Sequence, residues 1–485
     1  MKISELLKNI DYECCGIDGD CDIPSLSMTV KDFSADCALI IPGAKIPSSA
    51  ELEKNNIKCI ICGEGSEIPS VGIPLVRVKN PRLALAYAYS NFYGIDYGKM
   101  KIFGVTGTNG KTSTATFLAE ALSSLGKVGF IGTGKIRIGG ESVEEEYYSM
   151  TTPDPPLLYK SLKRMEKEGC FAVVMEVSSH SLALSKVDPI PFDYGIMTNL
   201  SEEHMDFHET LENYYQTKMH LFSLCKTAVF NVDNSFARRA FREHEGRKIS
   251  CGVLFKADVC AKVVEDQGFD GVSYIYHGKN FSFRARLKTP GIYNVYNSML
   301  AIAAATDCGA LPCKVKEAIS SLSGIEGRYE IIKDEVTVII DYAHTEAAFE
   351  NILKSIKSAK GCRPLTVIFG AGGERDRSKR PKMAAVCEKY ADKIIITQDN
   401  SRGEDPGEII GDIIRGLKSK SYRISIDRRV AIREAILSAE VGEVIALIGK
   451  GAEKYNIDKS GYHRFDEKEI IDHALRERKR HANKA

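Results

Sequence analysis

The sequence predicts an α/β protein of three domains, on three observations. An apolar run, Ile102 to Val105, leads into Gly107-Thr108-Asn109-Gly110-Lys111-Thr112 and then into a helix-like segment ending near Leu125. That is the strand, glycine loop and helix arrangement that cradles phosphates. Strand-like runs then alternate with amphipathic stretches at Lys101 to Val105, Phe171 to Met175, Tyr194 to Leu200 and Ala228 to Val232, as in a mostly parallel sheet. After the glycine-punctuated stretch Ser323 to Arg328 the rhythm restarts at Val336 to Ile340, Leu365 to Phe369, Lys393 to Thr397 and Val444 to Ile448, which reads as a doubly wound, Rossmann-like domain. With 485 residues, about three domains are expected. The boundaries fall at 1–97 (small N-terminal α/β domain), 98–325 (central P-loop-type ATPase domain with a mostly parallel sheet) and 326–485 (C-terminal doubly wound domain).

In the first domain, short apolar runs at Ala38 to Ile41, Ile57 to Cys62 and Leu75 to Val78 are separated by Pro/Gly turns and followed by a helix-like Leu83 to Phe92. Between Lys248 and Leu287 the pattern turns to alternation. Val272 to Tyr276, a His277-Gly278-Lys279 turn and Phe281 to Phe283 predict a hairpin. The charged tail Arg476 to Arg480 reads as a solvated helix end.

Composition narrows the function. Hydrophobic residues make up 44% of the chain, and 66 basic against 65 acidic residues leave a net charge of +1, so nothing global favours nucleic acid or an anionic membrane. Acids interrupt the first residues where a signal peptide is apolar, and no run approaches ~18 uninterrupted apolar residues. The expectation is a cytoplasmic protein, monomeric, with small-molecule partners and neither nucleic acid nor membrane. Fourteen scattered cysteines read as reduced thiols. Cys59-Ile60-Ile61-Cys62 lies inside an apolar run without a second pair, and Cys14, Cys15 and Cys21 form only a loose group, so neither is read as a metal or redox site.

The glycine loop points to ATP. Its glycines let backbone N–H groups face phosphates, Lys111 brings a compact charge, and the Thr112 hydroxyl suits Mg²⁺. The spacing is shorter than the strict P-loop, which would place glycine where Val105 stands; a plain strand-to-helix turn is the alternative. In open parallel sheets, ligand groups collect beyond the carboxyl ends of strands. There stand Glu176 and Ser178-Ser179-His180 after one run, and Glu202-Glu203-His204-Met205-Asp206 after the next. Singly, each is as well an N-cap acid or a surface histidine. If Leu211 to Phe222 is a helix, Leu211, Tyr214, Tyr215, Lys218, Met219, Leu221 and Phe222 share one face, with the lysine amid the apolar stripe. Burial lowers a lysine's pKa and leaves an amine that reacts with CO₂, whereas a lysine that snorkels to water stays ordinary.

Together these motifs resemble those of the Mur ligases, the ATP-dependent amide-forming enzymes of peptidoglycan precursor synthesis, and within them the ligases that add the third residue of the stem peptide. The resemblance runs from about Gly104 to Glu469. It rests on Gly107 to Thr112, Thr151-Thr152-Pro153-Asp154, Met175 to His180, Asn199-Leu200 with His204 and Asp206, and Pro290-Gly291 with Asn294 and Asn297. Further along it rests on Gly327-Arg328, Asp341 to Thr345, Gly372 to Asp376 with Lys379-Arg380-Pro381, Asp399 to Arg402, and Gly449 to Glu453.

The resemblance implies Gly107, Thr108, Asn109, Gly110, Lys111, Thr112, Ser113, Asn294, Asn297, Arg328, Asp341 and His344 at ATP. It implies Thr112, Glu176, His204 and carbamylated Lys218, the carbamate derived from CO₂, at Mg²⁺, with Lys111, Lys218, His204 and Glu176 catalytic. Ser27, Thr151, Thr152, Ser178 and Lys186 would face the UDP-N-acetylmuramoyl-dipeptide, Lys186 standing where arginine is common. Arg375, Asp399, Asn400, Arg402, Gly449 and Glu453 would hold the incoming diamino acid. The implied reaction transfers phosphate from ATP to the D-glutamate side-chain carboxylate, and the amine then attacks the acyl phosphate. Arg402 can clamp a distal carboxylate, which meso-diaminopimelate has and L-lysine lacks; a loop ion pair to Glu404 or Asp405 is the plain reading of the same arginine. Departures are found too. Ser27-Met28-Thr29-Val30-Lys31 and Pro42-Gly43-Ala44 stand where the family holds uridine with an Asp-Ser-Arg type segment and a glycine-rich loop. Glu346 and Ser401 replace prolines, and Ala452 a frequent histidine. A lysine-adding or divergent family member with another acceptor, a folylpolyglutamate-type ligase, and an ATP-driven switch remain as alternatives.

Overall fold

The computed structural model describes residues 1–16, 20–29, 37–43, 46–53, 57–69, 72–143, 150–418 and 421–482. Val30, Lys31 and Ala44 of the uridine segments lie outside them.

The chain folds into three α/β domains built on a five-stranded, an eleven-stranded and a six-stranded sheet. The central sheet positions the site. Its strands Val128–Gly132, Ala172–Glu176, Lys101–Thr106, Phe192–Met197, Cys225–Asn231 and Arg247–Gly252 lie side by side and parallel. Apart from the ends of Lys101–Thr106, Cys225–Asn231 and Arg247–Gly252 they are buried throughout, as a sheet covered by helices on both faces requires. Register brings Glu176 level with Val105 and Met197 level with Thr106, so the loops after three adjacent strands leave the sheet together. Helices Lys111–Leu122 and Ile292–Asp307 pack on one face, Pro155–Lys167 and Leu211–Ser223 on the other.

The expected hairpin is present as Val272–His277 and Ser282–Leu287, and it extends the central sheet at one edge. Strand Phe192–Met197 ends before the expected run to Leu200, because the Thr198 hydroxyl turns inward to donate to the Asn109 carbonyl at 2.6 Å. In the N-terminal domain the edge strand Tyr12–Cys15 has every residue exposed, hence no apolar alternation to betray it. Cys59 and Cys62 are core residues of strand Ile57–Gly63, and burial pushes the Cys59 thiol up to about 12. The tail is more than a solvated helix end: Arg478 pairs with Glu335 at 3.0 Å and Lys479 with Asp334 at 2.6 Å.

Candidate active site

The glycine loop is shaped by what presses on it. Gly107 has φ 144°, and a Cβ there would lie 1.9 Å from Thr198 Oγ1; Gly110 has φ 84°, and a Cβ there would lie 2.4 Å from Asn297 Oδ1. Neither position admits a side chain. Asn109 N–H donates to Asn199 Oδ1 at 3.0 Å, and the Thr108 hydroxyl meets the Ser201 carbonyl at 3.1 Å. The buried pair Asn294 and Asn297 lies beside the loop: Asn297 Oδ1 accepts from Thr114 Oγ1, in the helix that follows the loop, at 3.3 Å, and Asn294 Nδ2 donates to the Pro290 carbonyl at 2.8 Å.

Two lysines converge on this loop. Lys111 Nζ donates to the carbonyls of Gly107 at 2.9 Å and Thr108 at 2.8 Å, and Lys218 Nζ donates to the same Gly107 carbonyl at 3.0 Å. Lys218 is 1% exposed within helix Leu211–Ser223, its ammonium 4.6 Å from the Tyr214 ring centre. Among the described residues no carboxylate lies within ion-pair distance of it. Burial, then the charge of Lys111, drives the Lys218 pKa well below that of an ordinary lysine. The apolar stripe expected from the sequence is real, and the lysine does not snorkel out of it.

Glu176 closes the other side. It is fully buried and accepts from Thr112 Oγ1 at 2.9 Å and from Thr133 N–H at 2.9 Å. Arg328, from the C-terminal domain, donates to Thr112 Oγ1 at 3.0 Å while its guanidinium lies 4.2 Å from the Tyr342 ring centre. Among the described residues no three His, Cys, Asp or Glu side chains gather as a metal cage. Magnesium on a nucleotide needs only one or two carboxylates, with phosphate oxygens and water completing its shell. The touching hydroxyl and carboxylate of Thr112 and Glu176 suit it.

After strand Phe192–Met197, His204 adopts the left-handed conformation at φ 58° and packs edge-on against His180, ring centres 4.9 Å apart. Burial depresses its pKa well below the ordinary value, against the pull of Glu203, whose Oε2 lies 3.8 Å from His204 Nε2. The neighbouring Glu203 was not singled out from the sequence, yet it joins the domains: His344 Nε2 lies 2.8 Å from its Oε1. Burial alone would raise the Glu203 carboxyl; His344, His204 and Lys111 together hold it well below the usual carboxylate range. Asp341 accepts the backbone N–H groups of Tyr329 and Ala343, each at 2.7 Å, which fixes the loop carrying Tyr342 and His344.

Beneath this loop His208 is buried, its Nε2 3.0 Å from Ser179 Oγ, and burial lowers its pKa to about 4. An unfolded histidine takes up a proton near pH ~6.5. Between those values only the unfolded chain is protonated, so the contribution is complete above pH ~6.5 and is lost as pH falls towards 4. Its full size is on the order of 2–3 kcal/mol. Thermal melts from pH 7 to 4.5 should therefore fall less steeply for His208→Gln than for the wild type; equal slopes would remove His208 from the acid response.

Thr151, Thr152, Ser178 and Lys186 form a second cluster beside Glu176. Thr133 Oγ1 donates to Thr151 Oγ1 at 3.3 Å, Thr152 Oγ1 donates to the Glu176 carbonyl at 2.9 Å, Ser178 N–H donates to Thr152 Oγ1 at 3.1 Å, and Lys186 pairs with Asp154 at 2.7 Å. Ser27 stands apart at the edge of the N-terminal sheet, where its hydroxyl donates to the Thr29 carbonyl at 2.6 Å. Among the described residues no hydrogen bond joins it to that cluster.

In the C-terminal domain the groups expected to hold an amino acid are brought together. Asn400 Nδ2 donates to Glu453 Oε2 at 2.8 Å, and a Cβ on Gly449, φ 124°, would lie 2.8 Å from Asp399 Oδ2. Arg402, at φ 51°, donates from Nη1 to the carbonyls of Gly373 at 2.9 Å and Asn400 at 3.3 Å. It makes no loop ion pair: Glu404 is taken by Arg377 and Arg380, and Asp405 caps helix Pro406–Ile414. Arg375 is exposed, and its charge helps depress the His180 pKa across the cleft, after burial. Between the two larger domains lies a cavity of about 650 Å³ whose walls include Thr112, Thr133, Arg328, Tyr342 and Glu453. Thr112 of the glycine loop, Arg328 and Glu453 thus border one space.

Residues 105–305 match the family model described as Mur ligase middle domain, and residues 327–451 the model described as Mur ligase, glutamate ligase domain. The chain is 37% identical over 495 residues to the UDP-N-acetylmuramoyl-L-alanyl-D-glutamate--2,6-diaminopimelate ligase of Caldanaerobacter subterraneus subsp. tengcongensis, covering 98% of this chain and 99% of that protein. It is 35% identical over 489 residues to the ligase of the same name from Clostridium tetani, covering 98% of this chain and all of that one. A solved structure titled as such a ligase superposes with a TM-score of 0.65 at 25% identity, covering 98% of each chain.

Proposed function

This chain belongs to the Mur ligase family, and from that premise we propose that it is an ATP-dependent ligase that joins meso-diaminopimelate to the D-glutamate side-chain carboxylate of UDP-N-acetylmuramoyl-L-Ala-D-Glu. The observation that carries the reading is Lys218: a lysine buried with, among the described residues, no carboxylate within ion-pair distance, its ammonium sharing one phosphate-loop carbonyl with Lys111.

In this reading the β- and γ-phosphates lie on the loop N–H groups and Lys111 Nζ, with Asn294 and Asn297 keeping the loop in shape. Arg328, Asp341 and His344 approach from the C-terminal domain and complete the nucleotide site. Thr112, Glu176 and His204 would hold Mg²⁺, which would supply Lewis-acid stabilisation of the phosphate charge. The Lys218 amine, held neutral by burial, would add to the carbon of CO₂ and lose a proton, and the resulting carbamate would offer the cation an anionic ligand where an ammonium would repel it. Thr151, Thr152, Ser178 and Lys186 hold the nucleotide-sugar dipeptide with its carboxylate towards the γ-phosphate. Transfer of the phosphoryl group gives an acyl phosphate and ADP. The amine of the incoming amino acid attacks the acyl carbon, phosphate leaves, and an amide remains. Water would destroy the mixed anhydride, and the cross-domain contacts Arg328 to Thr112 and His344 to Glu203 close the cleft against it. Such an enzyme works on soluble precursors in the cytoplasm, and no described helix is long and apolar enough to cross a membrane.

Diaminopimelate is favoured over lysine because Arg402, Asn400 and Glu453 offer a guanidinium, an amide and a carboxylate to a distal centre bearing carboxylate and ammonium. Supplying the protein with UDP-N-acetylmuramoyl-L-Ala-D-Glu, MgATP and either amino acid, then weighing the product, tests the reading. Absence of an amide with both overturns it. Arg402→Ala should raise the KM for diaminopimelate by about 100-fold, the loss of a charge-assisted bidentate pair, and leave the KM for ATP within about twofold. An unchanged diaminopimelate KM would place the distal carboxylate elsewhere.

A further inference from the structure

The amino-acid site contains a cation that faces no solvent. Lys450 is 0% exposed, just past the end of strand Val444–Ile448. Its Nζ lies 3.0 Å from Asn400 Oδ1, 3.3 Å from Asp399 Oδ1 and 3.6 Å from Glu453 Oε2. Asp399 and Asn400 follow strand Lys393–Ile396, and strand Leu365–Phe369 lies between that strand and Val444–Ile448 in the sheet. One ammonium therefore ties together two loops separated by a whole strand.

The chemistry of Asn400 depends on that tie. Its Oδ1 accepts from two donors, Lys450 Nζ and Ile457 N–H at 3.0 Å each, so its amide has one orientation, with Nδ2 turned towards Glu453 Oε2 at 2.8 Å. Flipping it would set an NH₂ group against an ammonium and an N–H, leaving the Ile457 N–H without its acceptor and Lys450 with only its carboxylates. Burial disfavours ionisation of both carboxyls: Lys450 overcomes this at Asp399, whose pKa falls, whereas the Glu453 pKa rises, the Asp399 charge adding to the effect of burial.

We propose that Lys450 is the positioning residue of the amino-acid site, fixing the amide of Asn400 and the carboxylate of Glu453 so that donor and acceptor are set for the distal carboxylate and ammonium of the diamino acid. The inference rests on the proposed ligase reading. It adds a residue that touches no substrate and governs specificity through two that do. A buried lysine serving only stability would move the melting temperature and every kinetic constant alike.

The test is a double-mutant cycle in the intact enzyme, run once wild-type protein has been shown to form the amide with diaminopimelate, so that failure of the ligase reading is seen first. Lys450→Met should raise the KM for diaminopimelate by about 30-fold or more, leave the KM for ATP within about twofold and lower kcat little. In an Asn400→Ala background, Lys450→Met should add less than about threefold, because the group it orients is gone. If Lys450→Met does not fold, Lys450→Gln takes its place: it keeps a donor to Asn400 Oδ1 and loses only the charge held by Asp399 and Glu453. The KM for diaminopimelate should then rise by less than about tenfold with the KM for ATP within about twofold, and equal losses for all three substrates would again overturn the assignment. Multiplicative effects of the two substitutions on KM, or equal losses for all three substrates, would overturn the assignment.

Discussion

Lys218→Met is expected to melt at a higher temperature than the wild type in metal-free buffer and to turn over at least about a thousand times more slowly. Both halves follow from one fact. The ammonium is buried beside a second lysine, touching a carbonyl and the face of Tyr214, with no carboxylate among the described residues within ion-pair distance. A buried cation without a counter-charge costs stability, and an apolar side chain of similar length removes that cost while filling the stripe formed with Tyr214, Tyr215, Leu221 and Phe222. The gain should be about 1–2 kcal/mol, a rise of a few degrees or less in a chain of this size. Activity goes the other way, because methionine forms no carbamate and the site loses an anionic ligand for the metal. A thousandfold is about 4 kcal/mol of transition-state stabilisation, within what one charged group facing a transferring phosphoryl group supplies. Stripping CO₂ from the wild type should lower its rate, bicarbonate should restore it, and Lys218→Met should respond to neither. A variant that keeps its rate, or a wild type indifferent to CO₂, would remove the carbamate from the mechanism.

What the sequence made legible was local. The glycine loop, the strand ends bearing Glu176 and His204, and the lysine within the stripe of helix Leu211–Ser223 each carry their signal within a dozen residues, where spacing and periodicity operate. Contacts that complete the site join residues far apart in sequence: Arg328 to Thr112, His344 to Glu203, Lys450 to Asn400. No periodicity encodes such pairings. Glu203 in particular stood among Glu202, His204 and Asp206 with nothing to set it apart, and only the approach of His344 gives it a role. Asn294 and Asn297 show a related limit. Asn297 Oδ1 accepts from Thr114 Oγ1, Asn297 Nδ2 donates to Asn294 Oδ1, and Asn297 Oδ1 stands 2.4 Å from where a Gly110 Cβ would lie, a placement beside the loop that no local spacing conveys. The edge strand Tyr12–Cys15 was invisible because an exposed strand has no buried face to impose alternation.

Lys111→Met should cut kcat/KM by at least about a thousandfold, and it should also disturb Lys218. The first effect is the loss of the charge aimed at the transferring phosphate, where a preorganised cation acts without reorganisation as charge shifts from ATP to the acyl oxygen. The second follows from geometry. Both ammonium groups point at the Gly107 carbonyl, and after burial the charge of Lys111 is the next cause holding the Lys218 pKa down. Removing it lets Lys218 keep its proton to higher pH, and the reactive neutral fraction at a given pH shrinks. A carbamate at Lys218 would also lose its nearest cation. Both consequences lower the extent of carbamylation, so with ¹³C-enriched bicarbonate at neutral pH the carbamate signal of Lys111→Met should be weaker than that of wild-type protein at equal concentration. Lys111→Arg retains the positive charge and should keep that signal, while still losing rate because a planar fork cannot replace a compact ammonium held by two loop carbonyls. A rate within tenfold of wild type for Lys111→Met would place the phosphates away from this loop. A carbamate signal unchanged by the loss of Lys111 would show that the two lysines, though they meet at one oxygen, titrate independently.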